Sequence, residues 1–125
     1  MTKKKILVID DEEENCHTLK QGLESIGGFL VWTATQGKEG ISLAKAKKPD
    51  IILLDIIMPD LTGTQVAEAL AEDASTQSIP IIFVTAIIRK NEIGKGGGRI
   101  GGQNFIAKPV VIKDLVQKIM AILPD

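Results

Sequence analysis

Five short runs of apolar residues divide the chain: KILVI (5–9), FLVWT (29–33), IILL (51–54), IIFVT (81–85) and NFIA (104–107). Their length and their polar or Gly/Pro borders suit buried strands. Between them, apolar positions recur at helical spacing. Cys16, Leu19, Leu23 and Ile26 fall on one face of a helix, as do Ile112, Leu115, Ile119 and Ile122. Val66, Ala69 and Leu70 mark a third helix, and residues 36–48 a weaker one. Strands that are apolar throughout must be covered on both faces. Their alternation with helices therefore predicts an α/β fold built on a single doubly wound, five-stranded parallel sheet. Right-handed crossovers reduce the topologies to a few. Pro49-Asp50, Pro59 with Gly63, and Pro80 punctuate the pattern where elements should end or begin.

One stretch breaks the alternation. A crossover helix is due between the fourth and fifth strands, yet residues 94–102, GKGGGRIGG, hold six of the twelve glycines. Each glycine in a helix interior costs about 1 kcal/mol relative to alanine, so the fourth helix should end near Gly94 and residues 95–102 should be irregular. The same stretch satisfies G-x-G-x-x-G, but it precedes a strand instead of joining a strand to a helix, so no dinucleotide site is expected there.

The chain's 125 residues suit one domain, read as 1–125 with no effector domain. Fifteen Lys and Arg against sixteen Asp and Glu give a net charge of −1. That balance supplies no overall field for nucleic acid or anionic lipid, and neither is expected as a direct partner. A single cysteine cannot form an internal disulfide, and no signal-peptide core or apolar span of about 20 residues is visible. A cytoplasmic location is expected.

In an open parallel sheet, ligands bind beyond the carboxyl ends of the strands. The residues there are Asp10 and Asp11 after the first strand, Asp55 after the third, Thr85 after the fourth and Lys108 after the fifth. Converging carboxylates repel unless a cation joins them, and Mg²⁺ suits an all-oxygen set. Asp55 interrupts the run IILLDIIM, where an unpaired charge would be costly, and Lys108 is the evident partner. A carboxylate beside Mg²⁺, an ammonium and a hydroxyl is equipped to accept a phosphoryl group, with Asp55 as nucleophile.

These residues stand in the segments VIDDE (8–12), LLDIIMPDLTG (53–63), Thr85-Ala86 and FIAKP (105–109). In order and spacing the set resembles the receiver domain of two-component response regulators over essentially the full length. The resemblance implies the flavodoxin-like sheet order 2-1-3-4-5. It implies Asp55 as phosphoacceptor, and Asp10, Asp11, Asp55 and the carbonyl of Ile57 as the Mg²⁺ site. Thr85 and Lys108 would contact the phosphoryl group, with Thr85 and Phe105 as the switch pair acting on the surface of the fourth helix, fifth strand and fifth helix. The donor would be a sensor histidine kinase or a histidine phosphotransfer protein. Such a protein assists its own phosphorylation and dephosphorylation and is otherwise no enzyme. Phe105 lacks the hydroxyl of the tyrosine often found at its position. The resemblance also implies a cis Lys108-Pro109 bond, and places Ile57 and Ile87 where water would approach the phosphorus. Both are branched hydrocarbons, which should slow dephosphorylation.

Two other readings compete. An aspartate-nucleophile phosphatase would have its acids two residues apart after the first strand and a cap, whereas here they are adjacent and no cap-sized insertion exists. A receiver-like binding module would never turn over phosphate. Elsewhere the sequence suggests structural roles. Glu12, Glu13 and Glu14 suit an acidic helix start. Cys16 and His17 lack the further ligands of a metal site, and Trp32 and Phe83 suit the core. The basic residues Arg89, Lys90, Lys95 and Arg99 read as a solvated, mobile loop in preference to a partner-docking surface.

Overall fold

The computed structural model describes residues 3–86, 98–100 and 103–123. Strands β1 (Lys5–Ile9), β2 (Leu30–Ala34), β3 (Ile51–Asp55), β4 (Ile81–Thr85) and β6 (Gln103–Ala107) pair in parallel, and β5 (Gly98–Ile100) pairs antiparallel with β6. The spatial order is β2-β1-β3-β4-β6-β5. The five parallel strands thus stand in the expected order 2-1-3-4-5. The short β5 corrects the expectation that residues 95–102 are irregular throughout. Helix propensity argues only against a helix there. An edge strand needs little more than backbone hydrogen bonds, which Gly98–Ile100 can make with residues 103–105. The expected fourth helix, with Ile87, Arg89, Lys90, Glu92 and Lys95, lies outside the described residues.

Alternation along the strands sorts the core into two layers. Ile6, Val8, Ile51, Leu53, Ile82, Val84 and Ile106 meet α1 (Glu13–Gly22) through Cys16 and Leu19, its continuation through Leu23, and α4 (Ile112–Ile122) through Leu115 and Ile119. Leu7, Ile9, Ile52, Leu54 and Phe83 face the other way, onto α2 (Gly37–Lys47) and α3 (Gly63–Glu72), whose Ala44, Val66 and Leu70 are buried. Trp32 is only half-buried at the β2 edge, where Nζ of Lys47 lies 5.8 Å from its ring centroid.

One apolar position departs from the helical pattern. Ile26 is 64% exposed because α1 continues into a π-helical turn, Leu23–Gly27. The Gly28 N–H reaches back five residues to the Leu23 carbonyl, and the wider turn shifts the phase that would have buried Ile26. Gly28 takes a positive φ of 68°, which ends the helix at no steric cost.

The segment after β3 is fixed by hydrogen bonds and close packing. Thr62 and Gln65 form a reciprocal capping box at the start of α3, with Gln65 N–H to Thr62 Oγ1 at 3.1 Å and Thr62 N–H to Gln65 Oε1 at 2.9 Å. Gly63 donates its N–H to the Ile56 carbonyl at 2.6 Å. A Cβ on Gly63 would collide with the Asp55 carbonyl oxygen and with the Ile56 main chain. Gly63→Ala should therefore destabilise the fold by about 1–3 kcal/mol, as overpacking does. Urea unfolding checks this, and an unchanged midpoint would contradict the packing argument.

Candidate functional site

The sheet's hydrogen bonding runs one residue past two strands and fixes the main chain of both charged ends. Asp10 donates its N–H to the Ala34 carbonyl at 3.0 Å, and Lys108 donates its N–H to the Thr85 carbonyl at 3.0 Å. Asp55 is the last residue of β3, in register with Val84. Asp10, Asp55 and Lys108 continue the strand positions that face α1 and α4, so their side chains converge at one end of that layer. The Lys108-Pro109 bond is cis, as expected.

Lys108 lies between the two buried acids. Its Nζ is 3.1 Å from Oδ2 of Asp10 and 3.2 Å from Oδ2 of Asp55, with Glu12 Oε1 at 3.9 Å. The Asp10 and Asp55 side chains are 3% and 8% exposed, so neither carboxylate relies on bulk water for its solvation. Their other oxygens accept backbone N–H groups: Glu12 to Asp10 Oδ1 at 2.9 Å, and Ile57 to Asp55 Oδ1 at 3.4 Å. Asp11 is exposed, yet Asp10, Asp11 and Asp55 bring one carboxylate oxygen each within 4.8 Å of one another. This hard, all-oxygen donor set fits a divalent cation such as Mg²⁺. A cavity of about 450 Å³ opens beside these groups, lined by Asp10, Asn15, Leu19, Val84, Lys108 and Pro109 among others.

Burial pushes the Asp55 carboxyl above its ordinary value, and the charge of Asp10 adds to that rise; Lys108 and the Ile57 N–H oppose it without cancelling it. Burial pulls the Lys108 ammonium down, but the hydrogen bond and charge of Asp10, with those of Asp55, leave it above its ordinary value. The excess of negative charge over one ammonium contributes to both shifts, by adding to the effect of burial at Asp55 and by outweighing burial at Lys108. Behind it, burial and then Asp10 push the Cys16 thiol to about 11, and the thiol donates to the Asp10 carbonyl at 3.2 Å. His17 is exposed on the next position of α1.

The structure brings Asp10, Asp11, Asp55 and Lys108 together directly. Thr85 is buried and joined to Lys108 through its carbonyl. It continues the strand positions of the opposite layer, which holds Phe83 and, packed against it, Phe105. The Phe83 and Phe105 rings stack with centroids 5.3 Å apart. A cleft of about 360 Å³ lined by Ile56, Ala67, Phe83 and Phe105, among others, adjoins them. Ile57 places its N–H at Asp55 while its side chain is 61% exposed. Glu12 was expected only as part of an acidic helix start. It is the N-cap of α1, but its carboxylate makes no capping bond and leans toward Lys108. Its signal in the sequence was a third acid directly after the pair, three residues before Asn15.

The family model described as "Response regulator receiver domain" matches residues 6–120. Among curated proteins, the chain is 38% identical over 120 residues to Protein PilH of Pseudomonas aeruginosa, covering 95% of this chain and 97% of PilH. It is 36% identical over 121 residues to the alkaline phosphatase synthesis transcriptional regulatory protein PhoP of Bacillus subtilis, covering 96% of this chain but only 48% of PhoP. The chain thus spans nearly all of one such relative and about half of the other. Among solved structures, chemotaxis protein CheY4 of Vibrio cholerae superposes with a TM-score of 0.83 at 25% identity, covering 98% of this chain and all of CheY4.

The charge imbalance has a measurable consequence. A carboxyl whose pKa is raised on folding stabilises the fold below its unfolded value and loses that contribution as pH rises through the folded value. At neutral pH the charged Asp55 therefore opposes folding in the absence of divalent cations. Asp55→Asn should be more stable than wild type at pH 7 by on the order of 1 kcal/mol. The gain should shrink as pH falls through the raised value toward 3.8, where wild-type Asp55 is also neutral. Urea unfolding in a chelator between pH 4 and 8 measures it; a variant less stable than wild type at pH 7 would contradict the imbalance.

Proposed function

The chain belongs to the response regulator receiver domain family, the receivers of two-component signalling, and from that membership we propose that Asp55 is its phosphoacceptor. The observation that carries this reading is the position of Asp55: a buried carboxylate at a strand end, within 4.8 Å of two further aspartates and 3.2 Å from the Lys108 ammonium. The donor is a phosphohistidine on a sensor histidine kinase or on a histidine phosphotransfer protein. An Asp55 carboxylate oxygen attacks phosphorus, the P–N bond breaks, and its electron pair returns to the imidazole. Asp10, Asp11, Asp55 and the Ile57 carbonyl would hold Mg²⁺, which when bound would offset charge on the transferring group. Lys108 turns from Asp55 to a phosphoryl oxygen, and the Thr85 hydroxyl supplies a second contact.

Thr85 and Phe105 carry the change away from the acids, because Thr85 belongs to the layer in which Phe83 and Phe105 stack. The responding surface comprises β6 and α4, together with the expected fourth helix, whose residues lie outside the described ones. Residues 1–125 act as one receiver unit, in the cytoplasm, with a downstream effector and with no direct contact to nucleic acid or membrane. No described helix is long and apolar enough to cross a membrane. Dephosphorylation is the protein's own reaction: water attacks phosphorus, the bond to Asp55 breaks, and phosphate leaves. Ile57, whose N–H meets Asp55 and which is exposed, would gate that water's approach, since a hydrocarbon can neither orient water nor accept its proton. The second proposed gate, Ile87, lies outside the described residues.

Intact mass after incubation with acetyl phosphate and Mg²⁺ tests the acceptor. Wild type should gain one phosphoryl group and Asp55→Asn none; an adduct on Asp55→Asn would reject Asp55, and turnover without a stable adduct would favour a phosphatase. For the gate, Ile57→Asn should shorten the life of the phosphorylated form several-fold at fixed Mg²⁺. Decay equal to or slower than wild type, with phosphorylation intact, removes Ile57 from that role.

A further inference from the structure

The third acid after β1 is engaged neither in helix capping nor in the tight oxygen cluster. Glu12 is the N-cap of α1, but its side chain accepts no capping hydrogen bond from the backbone of the first turn. Among the described residues the oxygen cluster consists of Asp10, Asp11 and Asp55 without it. Instead Glu12 Oε1 accepts from Asn15 Nδ2 at 3.1 Å and stands 3.9 Å from Lys108 Nζ. The Glu12 main chain is pinned too, by its N–H bond to Asp10 Oδ1. An exposed ion pair is ordinarily worth little, because two long side chains must be ordered to make it. Here both partners are already held: Asn15 braces Glu12, while Asp10 and Asp55 hold Lys108, whose side chain is 19% exposed.

On the reading that Asp55 takes the phosphoryl group, we propose that Glu12, braced by Asn15, is a positioning residue that holds the Lys108 ammonium at the mouth of the site and competes for it with the incoming phosphoryl group. Two effects act with the same sign. A phosphoryl oxygen that recruits Lys108 must draw it from a carboxylate already beside it, and that carboxylate also repels the anionic oxygens. No bond to Glu12 forms or breaks during transfer. Its charge sets how readily Lys108 turns from the carboxylates to the phosphoryl group, and so how strongly the protein resists weak donors.

The test uses two variants and two measurements. Glu12→Gln keeps the shape and an oxygen for Asn15 but removes the charge; Asn15→Ala removes the brace. First, hydrogen exchange of the Lys108 ammonium is followed in ¹⁵N-lysine-labelled protein without any phosphodonor, the signal being assigned by its loss in Lys108→Arg. Second, the rate of phosphorylation by acetyl phosphate is measured at saturating Mg²⁺. Glu12→Gln should exchange about threefold faster and become phosphorylated about three- to tenfold faster, the range expected for removing one nearby charge in a polar setting. Asn15→Ala should change both in the same direction and by less. The double variant should match Glu12→Gln alone, since Asn15 acts only through Glu12. Unchanged ammonium exchange in Glu12→Gln overturns the hold on Lys108. Faster exchange with unchanged or slower phosphorylation overturns the competition, and additive effects in the double variant overturn the role of Asn15. If wild type takes no phosphoryl group, the phosphoacceptor reading and the competition fail together, while ammonium exchange still decides whether Glu12 holds Lys108.

Discussion

A single ammonium group, Nζ of Lys108, lies within 3.2 Å of two carboxylates at the end of a sheet that otherwise buries mainly hydrocarbon. Removing either acid from water without a partner would cost several kcal/mol, and removing both together would add their mutual repulsion. One positive charge offsets part of that cost and no more, which is why Asp55 and Lys108 both shift upward in pKa. The residual negative charge is what makes the site receptive to a divalent cation. A fully neutralised cluster would have no electrostatic reason to bind one.

That interaction depends on topology before chemistry. The order β2-β1-β3-β4-β6 sets β1 and β3 side by side, so Asp10 and Asp55 end on adjacent strands. Lys108 comes from two strands farther on and reaches back across β4, anchored to it by the bond from its N–H to the Thr85 carbonyl. A one-residue slip in β6 would turn Lys108 to the opposite layer, and both acids would lose their cation. The buried apolar positions of β6 and β4, Ile106 on Val84, guard that register. Packing in the core thus fixes the electrostatics at its edge.

How much of this was legible in the sequence follows the same division. The parallel strands were readable because each is a short apolar run between breakers, and the acids and Lys108 because they sit at the ends of those runs. Periodicity failed at Ile26, where a π-helical turn changes the repeat, and apolar spacing carries no marker for such a turn. The strand at Gly98–Ile100 was missed because glycine content speaks against a helix without choosing between loop and edge strand. Glu12 was read with Glu13 and Glu14 as one acidic run. Its contacts with Asn15 and Lys108, a matter of side-chain direction at one helix end, separate it from its neighbours.

The period of two along the strands also places residues around the site on both sides of the sheet. Asp10, Asp55 and Lys108 occupy positions of the α1/α4 layer, whereas Thr85 and Phe105 occupy positions of the α2/α3 layer. Thr85 meets the first group through its main chain, by the Lys108 N–H, and belongs to the second by its side chain. The two groups of residues are therefore linked through the main chain of β4 and β6, while their side chains lie on opposite faces of the sheet. On the α2/α3 side Phe105 stacks on Phe83 beside an open cleft, so its ring has space to move without first breaking a close-packed contact on that side. Rotation of a ring at a cleft costs far less than repacking a sealed core. The fold thus sets the charged cluster on strand ends and, among the described residues, stacks an aromatic pair beside a cleft on the other side.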